Sequence, residues 1–413
     1  MKKSRFLQSY GFIMLMLLAI VAGSVTGWVW PGATKLEPLG SIFINLMFCI
    51  VVPMVFVSIS SAIANMGNRK RAGKIIGTTI LTFIVTGIIA SVLTILVLKA
   101  FPPVTHVFAV TEQNPEDIKT IPELIVSFFT AEDFYLLLSR RAMLPLIVAS
   151  ILFGVATNMC GGKDSMVGKL LNNLSEVLMK LMKIVMYYAP IGFFGFFAYL
   201  VATYGPDLIG DYSRALIIYY VFSFVYMFAS FPVYARFGGG KGGAKMMFKH
   251  LFKPAVTSFG TCSSVATIPV NLEEAEATGI SKDVADMVVP LGATMHMDGS
   301  CISAILKVIF LFGFFGRDLS FGTLVLAVIV AVTSAVAMSG VPGGGGVGEF
   351  VLCSLFFSAD MAVAYPIAVA LGYLVDPPAT MVNSAGDYVV CYIVSRFVDG
   401  KDWLKNALAK KHE

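Results

Sequence analysis

Charge is scarce in this sequence. Asp, Glu, Lys and Arg make up 13% of its 413 residues, hydrophobic residues make up 57%, and the mean hydropathy is +0.82. That balance excludes an ordinary soluble globular chain and demands many membrane spans. The few cysteines carry no pattern: Cys49, Cys160, Cys262, Cys301, Cys353 and Cys391 fall mostly inside apolar stretches. Without C-x-x-C spacing or a histidine partner they form neither a zinc site nor a disulfide framework, and read as core residues. The glycines of Gly238-Gly-Gly-Lys-Gly-Gly243 lack a phosphate-loop signature. The net charge of +5 requires no nucleic acid, because the basic residues group in short loops, as the positive-inside rule produces.

Those loops fix the topology. Lys2, Lys3 and Arg5, then Arg69, Lys70, Arg71 and Lys74, then Lys163 and Lys169, Lys241 to Lys253, and Lys401 to Lys411 mark the cytoplasmic side. They place both termini there, in a multi-pass protein of a cell (inner) membrane. The opening MKKSRF followed by apolar Ile13 to Val29 mimics a secretory signal. No small-residue cleavage site follows, and Trp28 and Trp30 suit interfacial anchors, so the segment reads as a retained first helix. Spans are expected at about 10–31, 39–67, 73–101 (ended by Pro102 and Pro103), 137–159, 164–204 (kinked at Pro190) and 210–237. The polar stretch 104–136, with Glu112, Glu116, Asp117, Glu123, Glu132 and Asp133, reads as an extracellular connection.

Beyond residue 243 the texture changes. Gly260-Thr-Cys-Ser-Ser-Val-Ala-Thr-Ile-Pro-Val-Asn271 and Ser339-Gly-Val-Pro-Gly-Gly-Gly-Gly-Val-Gly348 interrupt apolar stretches with small, hydroxyl and helix-breaking residues. Unwound backbone at membrane depth is tolerated only where it is buried in protein or lines a cavity. A pair of such interruptions points to a transporter's binding site, and both are expected to be helical hairpins that dip in and return. Between them, Asp298 lies in an apolar segment from Met287 to Phe315, flanked by Gly292 and Gly299. A carboxylate there costs roughly 2.5–3.5 kcal/mol on insertion scales and needs a cation, a proton or a basic partner. In the last span, Asp376, Thr380, Asn383 and Asp387 are spaced four, three and four, hence on one helix face. The stripe covers roughly 16 Å and must face Asp298 and the hairpin tips. Such hard oxygen ligands suit sodium or protons.

These residues resemble the dicarboxylate/amino acid:cation symporters, the glutamate transporter family, over nearly the whole chain. Thr-Cys-Ser-Ser-Val-Ala-Thr-Ile-Pro (261–269) is similar to the family's first hairpin tip and Leu-Gly-Ala-Thr-Met-His-Met-Asp-Gly-Ser (291–300) to its broken seventh helix. Ser-Gly-Val-Pro-Gly-Gly-Gly (339–345) is similar to the second hairpin tip and Asp-Pro-Pro-Ala-Thr-Met-Val-Asn-Ser-Ala-Gly-Asp (376–387) to the eighth helix. The resemblance implies an all-α membrane protein of eight transmembrane helices and two re-entrant hairpins, with inverted repeats. It further implies a lipid-embedded homotrimer working as an elevator. The scaffold would be 1–72 and 104–207, and the transport domain 73–103 and 208–413.

By motif position it implies a substrate set of Cys262, Ser263, Ser264, Ser300, Val341, Pro342, Gly343, Gly345, Asp376, Ala379, Thr380 and Asn383. Asp376 would bind the substrate ammonium; Asn383, Thr380 and the Ser264 NH would hold the α-carboxylate. The implied sodium set is Thr86, Gly292, Thr294, Met295, His296, Asp298, Ala335, Val336, Met338, Asn383 and Asp387.

The departures set the expected cargo. Ala379 and Cys262 stand where acidic-substrate members carry an arginine, which leaves a substrate carboxylate unpaired. A sodium-driven symporter of a small neutral L-amino acid is therefore expected, with a proton-coupled or acidic amino acid/dicarboxylate symporter of the same fold as the alternative. An anion channel lacks a ring of charges, and an intramembrane hydrolase lacks a nucleophile-elbow pattern. His296 replaces the family's asparagine, and Gly87 and Phe83 replace hydroxyl residues beside Thr86. Two sodium sites are thus expected, the third being replaced by a proton. Lys307, one further departure, is expected either to pair with Glu349 or to snorkel towards an aqueous interface.

Overall fold

The computed structural model describes residues 5–65, 70–108, 126, 129–139, 142–337 and 346–410. Among them every regular element is helical. The first half contains α1 (Arg5–Val29), α2 (Glu37–Ala64), α3 (Lys70–Ala100), α4 (Met143–Met159), α5 (Met166–Met186) and α6 (Ala189–Tyr204). Then come α7 (Asp207–Gly239), α8 (Gly243–Thr261), α9 (Ser264–Thr278), α10 (Lys282–Met295), α11 (Asp298–Phe314), α12 (Phe321–Ala337), α13 (Gly346–Phe356), α14 (Met361–Val398) and α15 (Trp403–Lys410).

Four helical stretches among the described residues are long and apolar enough to cross a membrane: Gly73–Ala100, Asp207–Thr261, Lys282–Phe314 and Met361–Val398. The expected span 164–204 is instead two helices, α5 and α6, meeting at 52°. Pro190 sits in the first turn of α6, where the missing N–H is harmless, so the proline starts a helix here and does not kink one. The expected fourth span is shorter than read, since its helix begins at Met143.

Helix α1 packs along α6, and α2 packs against α4, α5 and α6. Helix α14 lies at the centre of the second half, against α7, α8, α10 and α11. Its buried face is nearly continuous from Ala364 to Ser395, as a helix surrounded by protein on all sides requires.

Two arginines fasten the opposite ends of this assembly. Arg71 of α3 donates to Asp283, in the first turn of α10 (2.5 Å), and to Asp399, just after α14 (2.7 Å). Arg317, just after α11, donates to Asp360 at the start of α14 (2.5 Å) and lies over the rings of Phe315 and Phe357. Prolines inside α14 leave carbonyls without helical donors. Pro378 cannot serve Leu374 O, and the Tyr220 hydroxyl of α7 donates there instead, at 2.9 Å.

Candidate functional site

Two interruptions meet α14 near its middle. Helix α8 ends at Thr261, and Cys262 follows with φ +49°, the one non-glycine residue with positive φ among the described residues. An L-residue is disfavoured there by about 1–2 kcal/mol, a strain that concentrates at functional positions. Ser263 then caps α9, its hydroxyl accepting from the Ala266 N–H at 3.2 Å. Ser263 and Ser264 are both buried, at the turn between two helices packed on each other.

The second interruption separates α10 from α11. The chain is extended at His296, and α11 restarts at Asp298. Close approach of α14 depends on two glycines. A Cβ on Gly292 would stand 2.2 Å from Asp387 Oδ1, and one on Gly299 would stand 2.3 Å from the Ala379 carbonyl oxygen. Asn383 fastens the restart: its Oδ1 accepts from the N–H groups of Gly299 (2.7 Å) and Ser300 (3.3 Å), while its Nδ2 donates to Ser300 Oγ (3.1 Å). Its side-chain oxygen thus satisfies helix-terminus donors that the break leaves free.

His296 occupies the centre, 1% exposed. Its Nδ1 lies 3.0 Å from Asp387 Oδ1 and 3.2 Å from the Asn383 carbonyl oxygen. Its Nε2 lies 3.3 Å from Thr86 Oγ1 and 3.4 Å from Asp298 Oδ1. The last is an ion-pair contact without hydrogen-bond geometry, so Asp298 Oδ1 and Asp387 Oδ2 remain buried without a hydrogen-bond partner. Both ring nitrogens thus face oxygen atoms, Nδ1 those of Asp387 and Asn383 and Nε2 those of Thr86 and Asp298. Phe83 packs against it, ring centroids 4.8 Å apart.

Most of the expected residues converge. Thr86, Gly292, His296, Asp298, Asn383 and Asp387 share this centre, and Ser300 joins it through Asn383. Thr380 donates to Asp376 at 3.0 Å, which places that pair on the same stripe. Thr294 turns its hydroxyl onto its own helix, at Leu291 O, and Met295 lines an apolar cavity that reaches Asp298. Met338, Val341, Pro342, Gly343 and Gly345 lie outside the described residues; Ala335 and Val336 belong to α12, and their side chains also lie outside them. Lys307 and Glu349 form a buried ion pair, one of the two outcomes expected of Lys307.

Two tyrosines escaped the sequence reading. Tyr226 donates to Asp298 Oδ2 at 2.8 Å, and Tyr219 donates to the Gly299 carbonyl at 2.7 Å. Their seven-residue separation puts them on one face of α7, but the spacing alone does not tell a hydroxyl donor from apolar filling.

The chain matches the model of the sodium:dicarboxylate symporter family over residues 12–397. It is 27% identical over 413 residues to a C4-dicarboxylate transport protein of Rhizobium leguminosarum, covering 95% of this chain and 90% of the relative. A C4-dicarboxylate transport protein of Bacillus subtilis (strain 168) is 26% identical over 394 residues, with 92% of each chain covered. C4-dicarboxylate transport protein 2 of Bradyrhizobium diazoefficiens is 25% identical over 401 residues, covering 92% and 87%. These relatives overturn the expectation of a neutral amino acid as cargo, since each is named for a dicarboxylate. The expectation rested on two uncharged positions, Ala379 and Cys262, where an arginine was sought. With a broken helix, a tight helical turn and a polar stripe converging on buried carboxylates, and a match across nearly its full length, the chain belongs to the sodium:dicarboxylate symporter family.

Proposed function

We propose that this protein is a secondary active symporter that carries a C4-dicarboxylate across a cell inner membrane, driven by cation movement. The carrying observation is the likeness, along more than nine-tenths of the chain, to relatives named as C4-dicarboxylate transporters. The site agrees in kind. A stripe of carboxylate, hydroxyl and amide groups on α14 faces two helix interruptions inside an apolar body, the arrangement that substrate and ion sites of such carriers take. In this reading α8–α9 and α12–α13 are the two re-entrant hairpins, eight helices span the bilayer, and the second half together with α3 moves against α1, α2 and α4–α6 as an elevator. Three copies assemble as a homotrimer.

The coupling cations follow from His296. An imidazole already lies between Asp298 and Asp387, so a positive ring, with a proton fixed on it, takes the place of one hard cation. Fewer sodium ions accompany the cargo than the three usual in the family.

Uptake of labelled succinate into proteoliposomes tests the proposal. Succinate should accumulate above the external level under an inward cation gradient, and accumulation should stop when the gradient is collapsed. Passive equilibration alone, or concentration of serine or alanine in preference to succinate, would overturn it.

A further inference from the structure

A dicarboxylate brings two negative charges to a stripe that already contains Asp376, and the positions at 379 and 262 offer no cation. Lys307 is the one buried Lys or Arg among the described residues, 2% exposed. Its ammonium donates to Glu349 Oε1, while Glu349 Oε2 is buried without a hydrogen-bond partner. The pair rests on α14 at Gly372. A Cβ there would stand 2.5 Å from Glu349 Oε1 and 3.2 Å from Lys307 Nζ, so only glycine admits the two charges. Gly372 is one turn, about 6 Å along the axis, from Asp376, and Asp376 lies within electrostatic range of both members of the pair. Tyr365 and Tyr373 of α14 and Cys353 of α13 also face Glu349.

As a structural bridge this pair is poorly made. A buried ion pair offsets its desolvation only when the remaining lone pairs are satisfied, and here one carboxylate oxygen is not. Glu349 has a second source of support, because it lies in the first turn of α13, where the helix dipole favours an anion. Lys307 carries its charge on a flexible stem with three rotatable donors and is free to change partner. We propose that Lys307 is the specificity-determining cation for the dicarboxylate: a cargo carboxylate displaces Glu349 from the ammonium, and Glu349 falls back on the α13 terminus. The proposal rests on the dicarboxylate reading above and supplies the positive charge which that reading lacked.

Calorimetric binding of succinate and of butyrate, its monoanionic counterpart, to the purified full-length protein tests it. Lys307→Met should weaken succinate binding at least about tenfold, equivalent to about 1.4 kcal/mol, and leave butyrate unaffected. Glu349→Gln should bind succinate as tightly as the parent or tighter, because the competing anion is gone. Should Lys307→Met fail to fold, Lys307→Met with Glu349→Gln removes both charges together, and the same loss is expected. Unchanged succinate binding in either lysine variant would overturn the proposal, as would a Glu349→Gln loss equal to that of Lys307→Met, which marks a structural bridge. A parent protein that binds no C4-dicarboxylate would instead overturn the cargo reading, and this assignment with it.

Discussion

His296 and Asp387 face each other at 3.0 Å across the break between α10 and α11, with the far nitrogen of the same ring 3.4 Å from Asp298. One side chain therefore separates two buried carboxylates carried by different helices, and it does so beside the hydroxyl of Thr86 and the carbonyl oxygen of Asn383.

Replacing that ring should change the ion requirement. Asparagine at 296 withdraws the fixed positive group. Serine at 87 adds an oxygen near Asp298, since a Cβ on Gly87 would lie 3.9 Å from Asp298 Oδ1 and no closer than 3.4 Å to any neighbour. His296→Asn with Gly87→Ser should raise the number of sodium ions per succinate by about one, measured as a reversal potential in proteoliposomes, because both changes add oxygen ligands of the kind a hard cation takes. An unaltered stoichiometry would show that the ring does not stand in for an ion.

Asp376 separates the two kinds of cargo. A substrate ammonium would need its carboxylate, whereas a dicarboxylate has no cation to offer it. Asp376→Asn should therefore keep succinate binding within about threefold, a change below 1 kcal/mol. Its loss by more than an order of magnitude in a binding assay would return Asp376 to direct contact with cargo.

Tyr226 is the hydroxyl donor to Asp298. Hydrogen bonds to charged groups contribute about 1.5–3 kcal/mol, and a carboxylate left short of donors in the interior loses more than an exposed one. Tyr226→Phe removes one oxygen and little volume. A lower thermal midpoint of the detergent-solubilised protein is expected, together with slower uptake. Parent-like values for both would place the Asp298 charge under other control.

The two arginine contacts should differ in strength. The Arg71 side chain is 53% exposed and that of Arg317 is 10% exposed, with two aromatic rings beneath it. Exposed ion pairs contribute about 0–1 kcal/mol, whereas a desolvated cation–π contact adds about 2 kcal/mol. Arg317→Ala should lower the thermal midpoint clearly more than Arg71→Ala. Equal shifts would contradict this ranking.

Much of the site was legible because its residues violate the expectations of an apolar span. Asp298 between two glycines and the four-three-four spacing on α14 both advertise a polar interior, whereas the sequence left Lys307 open between pairing with Glu349 and reaching water, and the structure shows the pair. The tyrosines of α7 were hidden because aromatic residues are ordinary filling for such helices, and one more tyrosine on a buried face carries no mark of the hydroxyl's target. The α5–α6 bend was misplaced for a related reason: Pro190 marks the start of a helix, and the turn lies at the two tyrosines before it. The cargo was misread because a counter-charge was sought only where the family sets an arginine.

The contacts of Arg71 and Arg317 have a consequence for motion. One fastens the outer ends of α10 and α14 together, the other fastens the end of α11 to the beginning of α14. With both ends anchored and Asn383 holding the middle, the broken helix cannot slide along its neighbour without parting charge from charge at either edge. The acidic centre is thus indexed to α14 at three heights. Any displacement that keeps these contacts must carry α10, α11 and α14 together, leaving the spacing of their carboxylates unchanged.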